Sequence, residues 1–165
     1  MNAYRYKTGV TLIEILIALA IMSILVSLVL GIAGSIRRQN SDRLTRGAFA
    51  LLKAALQEYR SEAPSQGNLY QADFPVPPYP DDFTRALDNS EFLFGELQAL
   101  PACRGILQKL DDSLIRLNPD TGVAGIFDGW GTPLDYRYLQ EWTFPELISA
   151  GPDRLFGTTD DITSR

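Results

Sequence analysis

The sequence contains no histidine and a single cysteine, Cys103, among its 165 residues. The absence of histidine excludes Ser-His-Asp triads, Cys-His nucleophile pairs and zinc sites with imidazole ligands. One cysteine excludes an intrachain disulfide and a cysteine-rich metal site, and we expect this thiol to be a small buried hydrophobe. Basic residues are fewer than acidic ones, 15 against 20, which gives a formal net charge of −5. Because a general nucleic-acid binder needs a basic surface, this charge argues against a nucleic-acid partner.

Apolar residues, by contrast, are concentrated near the N-terminus. The stretch 8–36 contains one charged residue, Glu14, and its core, 15–36, contains none. About 20 apolar residues suffice to cross a bilayer as a helix, whereas a cleaved secretory signal has an apolar core of roughly 7–15 residues. A soluble domain of this size rarely encloses a helix that is apolar on all sides. The stretch therefore predicts a membrane-spanning helix, with a buried core helix as the alternative.

Glu14 needs a separate explanation, because a carboxylate inside a bilayer costs about 2.5–3.5 kcal/mol or more. Residues 10–18 contain no cation that would neutralise it. A cationic partner for Glu14 would therefore come from another chain or from a new N-terminus. The alternative is that Glu14 stays hydrated at the membrane surface.

The residues around Glu14 resemble the N-terminal signal of type IV pilins and of the pseudopilins of type II secretion. The resemblance is carried by the run Lys-Thr-Gly-Val-Thr-Leu-Ile-Glu at 7–14 and by the apolar stretch that follows it. It implies that a prepilin peptidase removes the leader 1–9 by cleaving between Gly9 and Val10, and that the same enzyme methylates the new N-terminal amine. It also implies that Glu14 pairs with the N-terminal amine of a neighbouring subunit during assembly. Val10 stands where phenylalanine is usual in the family.

The N-terminal helix is predicted to continue beyond the apolar stretch. No proline occurs before Pro64, and an apolar stripe with helical spacing follows the membrane segment. The pattern predicts a membrane half, 10–36, and an amphipathic half, 37–62, whose stripe packs on a small domain. A membrane anchor followed by an unrelated helix is the alternative. The stripe consists of Leu44, Ala48, Leu51, Leu52, Ala55, Leu56 and Tyr59.

The region 63–125 begins with a proline-rich segment, since residues 64–80 hold five prolines. Proline lacks the amide donor and restricts the residue before it, so this segment is predicted to be an extended loop. The resemblance does not extend to this region, and no function is assigned to it.

Short helices are predicted to follow the loop. Asp81 or Asp82 is expected to cap a helix that ends near residue 87, and Asn89 or Ser90 to cap a second helix that ends near residue 100. A third short helix is predicted over 102–110.

The final region, 126–165, is predicted to contain a small antiparallel sheet. Over 134–138, apolar residues alternate with Asp135 and Arg137, which predicts a half-buried strand, and 144–149 is predicted to be a second strand. The run Asp-Gly-Trp-Gly-Thr-Pro-Leu-Asp-Tyr at 128–136 resembles a signature of the major pseudopilin of type II secretion. The resemblance gives three residues a structural role in the core: Trp130, Pro133 and Tyr136.

The C-terminal loop, 146–162, carries carboxylates close to glycines. From the residues alone, it is either a solvated acidic turn or a calcium site, because calcium takes six to eight oxygen ligands. The spacing is not that of an EF-hand. The similar loop of the major pseudopilin family implies one structural calcium ion, and Arg154, which stands where glycine is common, is expected to strain the turn. The implied ligands are the side chains of Asp153, Asp160 and Asp161 and backbone carbonyls near Ala150 and Leu155.

These observations predict an α+β fold in which a long N-terminal helix packs on a small antiparallel sheet domain, and the resemblance implies that this fold is pilin-like. The resemblance implies a non-enzymatic filament subunit, a pseudopilin of a type II secretion system. It implies a single-pass precursor in the inner membrane, with a cytoplasmic leader and a periplasmic C-terminal domain. After processing by prepilin peptidase, the subunit would assemble with itself, with minor pseudopilins and on an inner-membrane platform into a periplasmic pseudopilus that drives protein secretion.

Three other classes remain as alternatives. One is a type IV pilin for adhesion, motility or DNA uptake, although many such pilins carry a C-terminal cysteine pair that this chain lacks. The others are a membrane-anchored binding module and a membrane-anchored enzyme. An enzyme without histidine would need carboxylate chemistry, and the adjacent pairs at 81–82 and 111–112 do not face each other.

Overall fold

A computed structural model describes residues 11–62, 69, 80–138 and 144–165, and for residues 29–35 it describes the backbone only. The described residues form helices and short strands, which confirms the α+β prediction. The helices are α1 (Leu12–Glu62), α2 (Asp82–Ala99) and α3 (Pro101–Leu107), followed by a 3-10 turn at Asp112–Leu114. The strands are β1 (Ile115–Leu117), β2 (Ala124–Ile126), β3 (Asp135–Arg137), β4 (Glu146–Ser149) and β5 (Ile162–Thr163).

The chain divides into two compact units, Met1–Arg38 and Gln39–Arg165. In the first unit, every described side chain from Leu12 to Leu28 is exposed, although most of them are apolar. Among the residues searched, which are the described ones, no helix has both the length and the apolar character needed to cross a membrane. The predicted membrane segment 10–36 lies only in part within those residues.

In the second unit, the remainder of α1 contributes an apolar stripe to the core. Leu52, Ala55 and Leu56 are fully buried, and Leu44 and Leu51 pack against the same cluster while partly exposed. The prediction of an amphipathic half is thereby confirmed. Helical spacing places these residues on one side of the helix, where the rest of the unit covers them.

Helix α2 begins where the sequence indicates. Asp81 is the N-cap residue, and its side chain accepts a hydrogen bond of 2.7 Å from the Thr84 amide. This bond satisfies one of the amide groups that the first turn leaves without a helical partner. The helix ends at Ala99 because Leu100 is extended and Pro101, which starts α3, cannot continue the hydrogen-bond ladder.

The predicted break of this helix at Asn89 or Ser90 is wrong, because α2 runs through both residues and both are buried. The Ser90 hydroxyl donates to the carbonyl of Ile126 and accepts from the Ile126 amide, each at 2.6 Å. The side-chain amide of Asn89 donates through Nδ2 to Asp135 Oδ1 at 2.8 Å. The two polar side chains therefore join α2 to the strands instead of capping a new helix.

The strands form two small antiparallel sheets. Strands β1 and β2 make a two-stranded sheet with Arg116 opposite Gly125, and β3, β4 and β5 make a three-stranded sheet in that order. Tyr136 of β3 lies opposite Leu147 of β4, and Ser149 of β4 lies opposite Ile162 of β5. The strands predicted over 134–138 and 144–149 are confirmed in shortened form.

The alternation predicted for β3 fails at Asp135, which is as fully buried as its apolar neighbours. Helix α2 covers this face of the strand at Asp135, whereas Arg137, two residues later on the same face, is exposed as predicted. Arg85 of α2 and Arg137 of β3 lie 3.1 Å and 2.8 Å from Asp135 Oδ2. A buried carboxylate is tolerated when such partners compensate its lost hydration.

Candidate functional site

The first turn of α1 holds Glu14 in a capping arrangement. The Glu14 Oε2 atom accepts hydrogen bonds from the Thr11 amide at 2.7 Å and from the Thr11 hydroxyl at 2.8 Å. In return, the Glu14 amide donates to the Thr11 hydroxyl oxygen at 3.3 Å. This reciprocal pattern is the capping box, in which a threonine and a glutamate three residues later satisfy each other at a helix start.

Thr11 is a residue of this site that the search for a cationic partner of Glu14 does not indicate. The Thr-x-x-Glu spacing before an apolar run is itself a signal of a capping box. Gly9 and Val10, the residues of the predicted cleavage and methylation site, lie outside the described residues. The capping box fixes the Glu14 carboxylate on the backbone amide and hydroxyl of Thr11, the first residue that the structure describes.

A tight turn at 128–132 attaches the sheet region to α1. The Gly129 amide donates to the Thr45 hydroxyl oxygen at 3.0 Å, and the Ser41 hydroxyl donates to the Gly129 carbonyl at 2.8 Å. A Cβ atom on residue 129 would lie 2.4 Å from the Ser41 carbonyl oxygen, so only glycine fits against the helix backbone. Gly129 therefore sets how closely this turn approaches α1.

Asp128 holds the same turn from inside. Its Oδ1 atom accepts from the amides of Trp130 at 2.9 Å and Thr132 at 2.8 Å, and its Oδ2 atom accepts from the Ser149 hydroxyl at 2.6 Å. Burial raises the pKa of Asp128 above its ordinary value, and the three hydrogen bonds oppose that rise. The carboxylate therefore ties the turn to strand β4.

The three residues expected in the core occupy different environments. Tyr136 and Pro133 are buried, and Trp130 is partly exposed while packing against the core cluster. The Tyr136 hydroxyl donates to the carbonyl of Leu69, which joins β3 to the segment that follows α1.

The C-terminal loop brings its carboxylates near backbone amides. Asp153 Oδ1 accepts from the Leu155 amide at 2.8 Å, and Asp161 Oδ2 accepts from the Gly157 amide at 2.8 Å. Asp160 Oδ2 accepts from the Asp153 amide at 3.1 Å. The hydroxyl of Thr158 is the main cause of a lowered pKa of Asp160.

Two features of this loop bear on the predicted metal site. Asp161 Oδ1 is buried and has no hydrogen-bond partner in the described structure. Within the described residues, however, no three acidic or thiol side chains are grouped so as to hold a metal ion. Of the other implied ligands, Ala150 is buried, and the Leu155 carbonyl accepts from the Thr158 hydroxyl at 3.2 Å.

Arg154 lies in the left-handed region of backbone conformation, with φ of 63°. It is the one residue other than glycine with a positive φ in the described part of the chain. A side chain disfavours this conformation, which confirms the expected strain. Nearby Gly151, with φ of 66°, sits so close to Asp160 that a Cβ atom would lie 2.3 Å from its carbonyl oxygen.

Comparison with known proteins identifies the N-terminal part of the chain. Residues 4–30 match the family model of the prokaryotic N-terminal methylation motif. The chain therefore carries a prepilin-type signal, which implies processing by prepilin peptidase and pilus-like assembly. The match supports a precursor of the type IV pilin or pseudopilin kind and is equally compatible with either. No curated protein and no solved structure matched the chain.

Proposed function

We propose that this chain is a pseudopilin, a filament subunit of a type II protein secretion system. The methylation motif at residues 4–30 carries the proposal, because it includes the predicted cleavage site and extends to residue 30, inside α1. In this proposal, the peptidase cleaves between Gly9 and Val10 and methylates Val10. The subunit is anchored in the inner membrane by one span, with its leader in the cytoplasm and its C-terminal domain in the periplasm.

The exposed apolar surface of α1 supports assembly. Side chains from Leu12 to Leu28 include large apolar groups that are more than half exposed, such as Leu12 at 77% and Met22 at 64%. Exposed apolar surface of this extent marks a contact with membrane or with protein. In the precursor the lipid tails would cover it, and in the filament the same helices of neighbouring subunits would.

Glu14 would guide this assembly. In the single chain, both hydrogen bonds that the Glu14 carboxylate accepts from Thr11 end on Oε2. The second oxygen, Oε1, can then accept a hydrogen bond from the N-terminal amine that cleavage creates on a neighbouring subunit. A buried carboxylate is stable only when it is paired, so the subunit that supplies the amine lowers the free energy of the assembled state. Thr11 would act as a positioning residue for this pair.

Three features favour a pseudopilus over a type IV pilus. The run 128–136 and the C-terminal acidic loop are both similar to segments of the major pseudopilin family. In addition, the chain has one cysteine and therefore lacks the C-terminal cysteine pair that many type IV pilins carry. This cysteine, Cys103, is buried against α1 and donates to the Ala55 carbonyl at 3.4 Å. A type IV pilin for adhesion, motility or DNA uptake is the alternative. Further partners in the proposed role are minor pseudopilins and the inner-membrane assembly platform.

We also propose a structural calcium ion in the C-terminal loop, held by Asp153, Asp160 and Asp161 with the carbonyls of Ala150 and Leu155. The supporting observation is the buried oxygen Asp161 Oδ1, since a buried carboxylate oxygen without a donor needs compensation. Calcium would draw the three carboxylates, which are not grouped for a metal in the described structure, into one set of oxygen ligands. The chain itself contributes the turn at Gly151 and Arg154 that brings the two ends of the loop together.

Mass spectrometry of the mature chain tests the filament class. In a host with a prepilin peptidase, we expect a methylated Val10 at the N-terminus, and we expect Gly9→Leu to retain Met1. The variant Glu14→Ala should be processed normally and fail to assemble. Mature wild-type protein that retains Met1 would reject both filament proposals.

Secretion and metal dependence test the finer assignments. Loss of the gene should block export of proteins through the outer membrane if the chain is a pseudopilin, and should abolish surface pili if it is a type IV pilin. Thermal unfolding in calcium and in excess chelator should give different midpoints for wild type. Asp160→Asn should abolish the difference while the exposed control Asp88→Asn preserves it, and an identical midpoint for wild type would reject the calcium site.

A further inference from the structure

The exposed charged residues of α1 in the second unit are basic until the last residue of the helix. Arg43, Arg46 and Arg60 are exposed, and Glu62, which ends the helix, is the exposed acidic residue. Arg46 is paired with Asp42 at 3.0 Å. Arg43 makes no hydrogen bond or ion pair with any described residue.

Small residues continue the line that Arg43 begins. Gly47, Ala50 and Ala54 are exposed and lie four, seven and eleven positions after Arg43, a spacing that places them along one side of a helix. A Cβ atom at Gly47 would meet nothing within 4 Å. We name these four residues the α1 face. It is basic at one end and flat beyond it.

Helix α2 presents a face of opposite charge with the same spacing. Asp88, Phe92, Gly95 and Ala99 are exposed and again lie at intervals of four, seven and eleven. The exposed charged residues of α2 are all acidic, namely Asp82 and Asp88. Phe92 is 37% exposed, and a Cβ atom at Gly95 would meet nothing within 4 Å. We name these four residues the α2 face.

The two faces are complementary in charge and in shape. An exposed arginine at the start of one line matches an exposed aspartate at the start of the other. Phe92 lies four residues after Asp88, and Gly47 lies four residues after Arg43. When Arg43 is beside Asp88, Gly47 therefore lies opposite Phe92 and leaves room for its ring. Small residues further along both lines let helices approach to the lower end of the usual 8–10 Å axial distance.

We propose that the α1 face of one subunit binds the α2 face of a second copy of this chain, with Arg43 beside Asp88 and Phe92 against Gly47 and Ala50. The charge of the chain favours a second copy as the partner of the α1 face. Residues 63–165 hold sixteen acidic and seven basic side chains, so this part of a second copy attracts the basic end of that face. The contact joins two different faces, and heterologous contacts of this kind repeat along open filaments. It rests on the proposed filament function and specifies which surfaces outside the apolar part of α1 meet.

Disulfide cross-linking of the full-length chain tests the contact. One tagged copy carries Ala50→Cys and another carries Gly95→Cys, both expressed in membranes that contain prepilin peptidase. Because a disulfide needs Cα atoms about 4.4–6.8 Å apart, we expect the mixed pair to cross-link at least about tenfold more than Ala50→Cys paired with Gln108→Cys. Gln108 is an exposed residue just beyond α3, and the native thiol of Cys103 is buried.

Charge exchange tests the pairing of Arg43 with Asp88. Arg43→Glu and Asp88→Arg should each lower the cross-linking yield about two- to fivefold, and the double variant should restore it, as expected for an exposed ion pair. The control Lys109→Glu changes an exposed cation outside both faces and should leave the yield unchanged. Single variants without effect would overturn the pairing.

Three outcomes separate this contact from the filament function. Wild-type assemblies that sediment while the mixed pair fails to cross-link overturn the contact and leave the pseudopilin proposal standing. Disulfides between two Ala50→Cys copies in place of the mixed product indicate a symmetric dimer and overturn the contact. Correctly processed chains that remain monomeric overturn both proposals.

Discussion

Replacing Gly129 with alanine would place a methyl group against the backbone of α1. A Cβ atom at this position would lie 2.4 Å from the Ser41 carbonyl oxygen and 2.6 Å from the Ser41 Cα. Helix backbone atoms do not rotate away as a flexible side chain does, so the turn at 128–132 must move off the helix. That movement stretches the hydrogen bonds that Gly129 makes with Thr45 and Ser41, now 3.0 Å and 2.8 Å long.

The expected loss of stability follows from these contacts. Overpacking of this kind costs about 1–3 kcal/mol, and each hydrogen bond contributes about 1 kcal/mol. With partial relaxation of the turn, we expect Gly129→Ala to lower the free energy of unfolding by about 3 kcal/mol. For a unit of this size, the unfolding midpoint should then fall by roughly 10–15 °C.

Thermal unfolding of the full chain in detergent micelles, followed by circular dichroism, measures the effect. The matched control is Gly105→Ala in α3, because a Cβ atom there would meet nothing within 4 Å. Alanine favours a helix over glycine by about 1 kcal/mol, so this control should unfold at the same temperature or higher. Thr45→Val should cost about 1–3 kcal/mol by leaving the Gly129 amide without its acceptor. If Gly129→Ala unfolds at the wild-type midpoint, the close approach of this turn to α1 is refuted.

Three further changes test the buried network and the C-terminal turn. Because burial raises the pKa of Asp128, its contribution to stability is full below the ordinary pKa and is lost as the pH rises through the raised value. Urea unfolding should therefore show the advantage of wild type over Asp128→Asn shrinking as the pH rises above about 4, the ordinary pKa of an aspartate, and an advantage that grows with pH would contradict this sign. Arg154→Gly should raise the midpoint of thermal unfolding, with a gain of roughly 1 kcal/mol from relief of the positive φ, and a lower midpoint would count against strain at Arg154. Asn89→Ala should cost about 1.5–3 kcal/mol in urea unfolding because it removes a donor to the buried carboxylate of Asp135, whereas the exposed neighbour Asp88→Ala should change stability by less than about 0.5 kcal/mol.

The features that sequence reasoning predicted correctly depend on local pattern. The apolar stripe of α1 follows from helical spacing, and the cap at Asp81 follows from an aspartate placed before a helix-forming run. The strain at Arg154 followed from comparing one position with the glycine common in a similar loop, and its φ of 63° agrees. In each case the cause lies within a few residues of the effect.

The features that it missed depend on partners far away in the chain. Asn89 and Ser90 look like caps in isolation, yet they bond to groups 36 to 47 positions later. The alternation over 134–138 predicts that Asp135 is exposed. Only the packing of α2 against the strand shows that this residue is buried. Gly129 is one of two glycines beside Trp130. The need for glycine at this position follows only from the close contact of its backbone with Ser41.

The turn at 128–132 also connects α1 to the C-terminal loop through one continuous set of hydrogen bonds. Thr45 binds Gly129, the adjacent Asp128 binds the Ser149 hydroxyl, and the Ser149 oxygen accepts from the Gly151 amide at 3.1 Å. Gly151 in turn packs against Asp160 at a distance that only glycine permits. Because each of these groups is buried or partly buried, a break at any point leaves a polar atom without compensation. The conformation of the acidic loop and the contact of the 128–132 turn with α1 therefore depend on the same hydrogen bonds, although 106 positions separate Thr45 from Gly151.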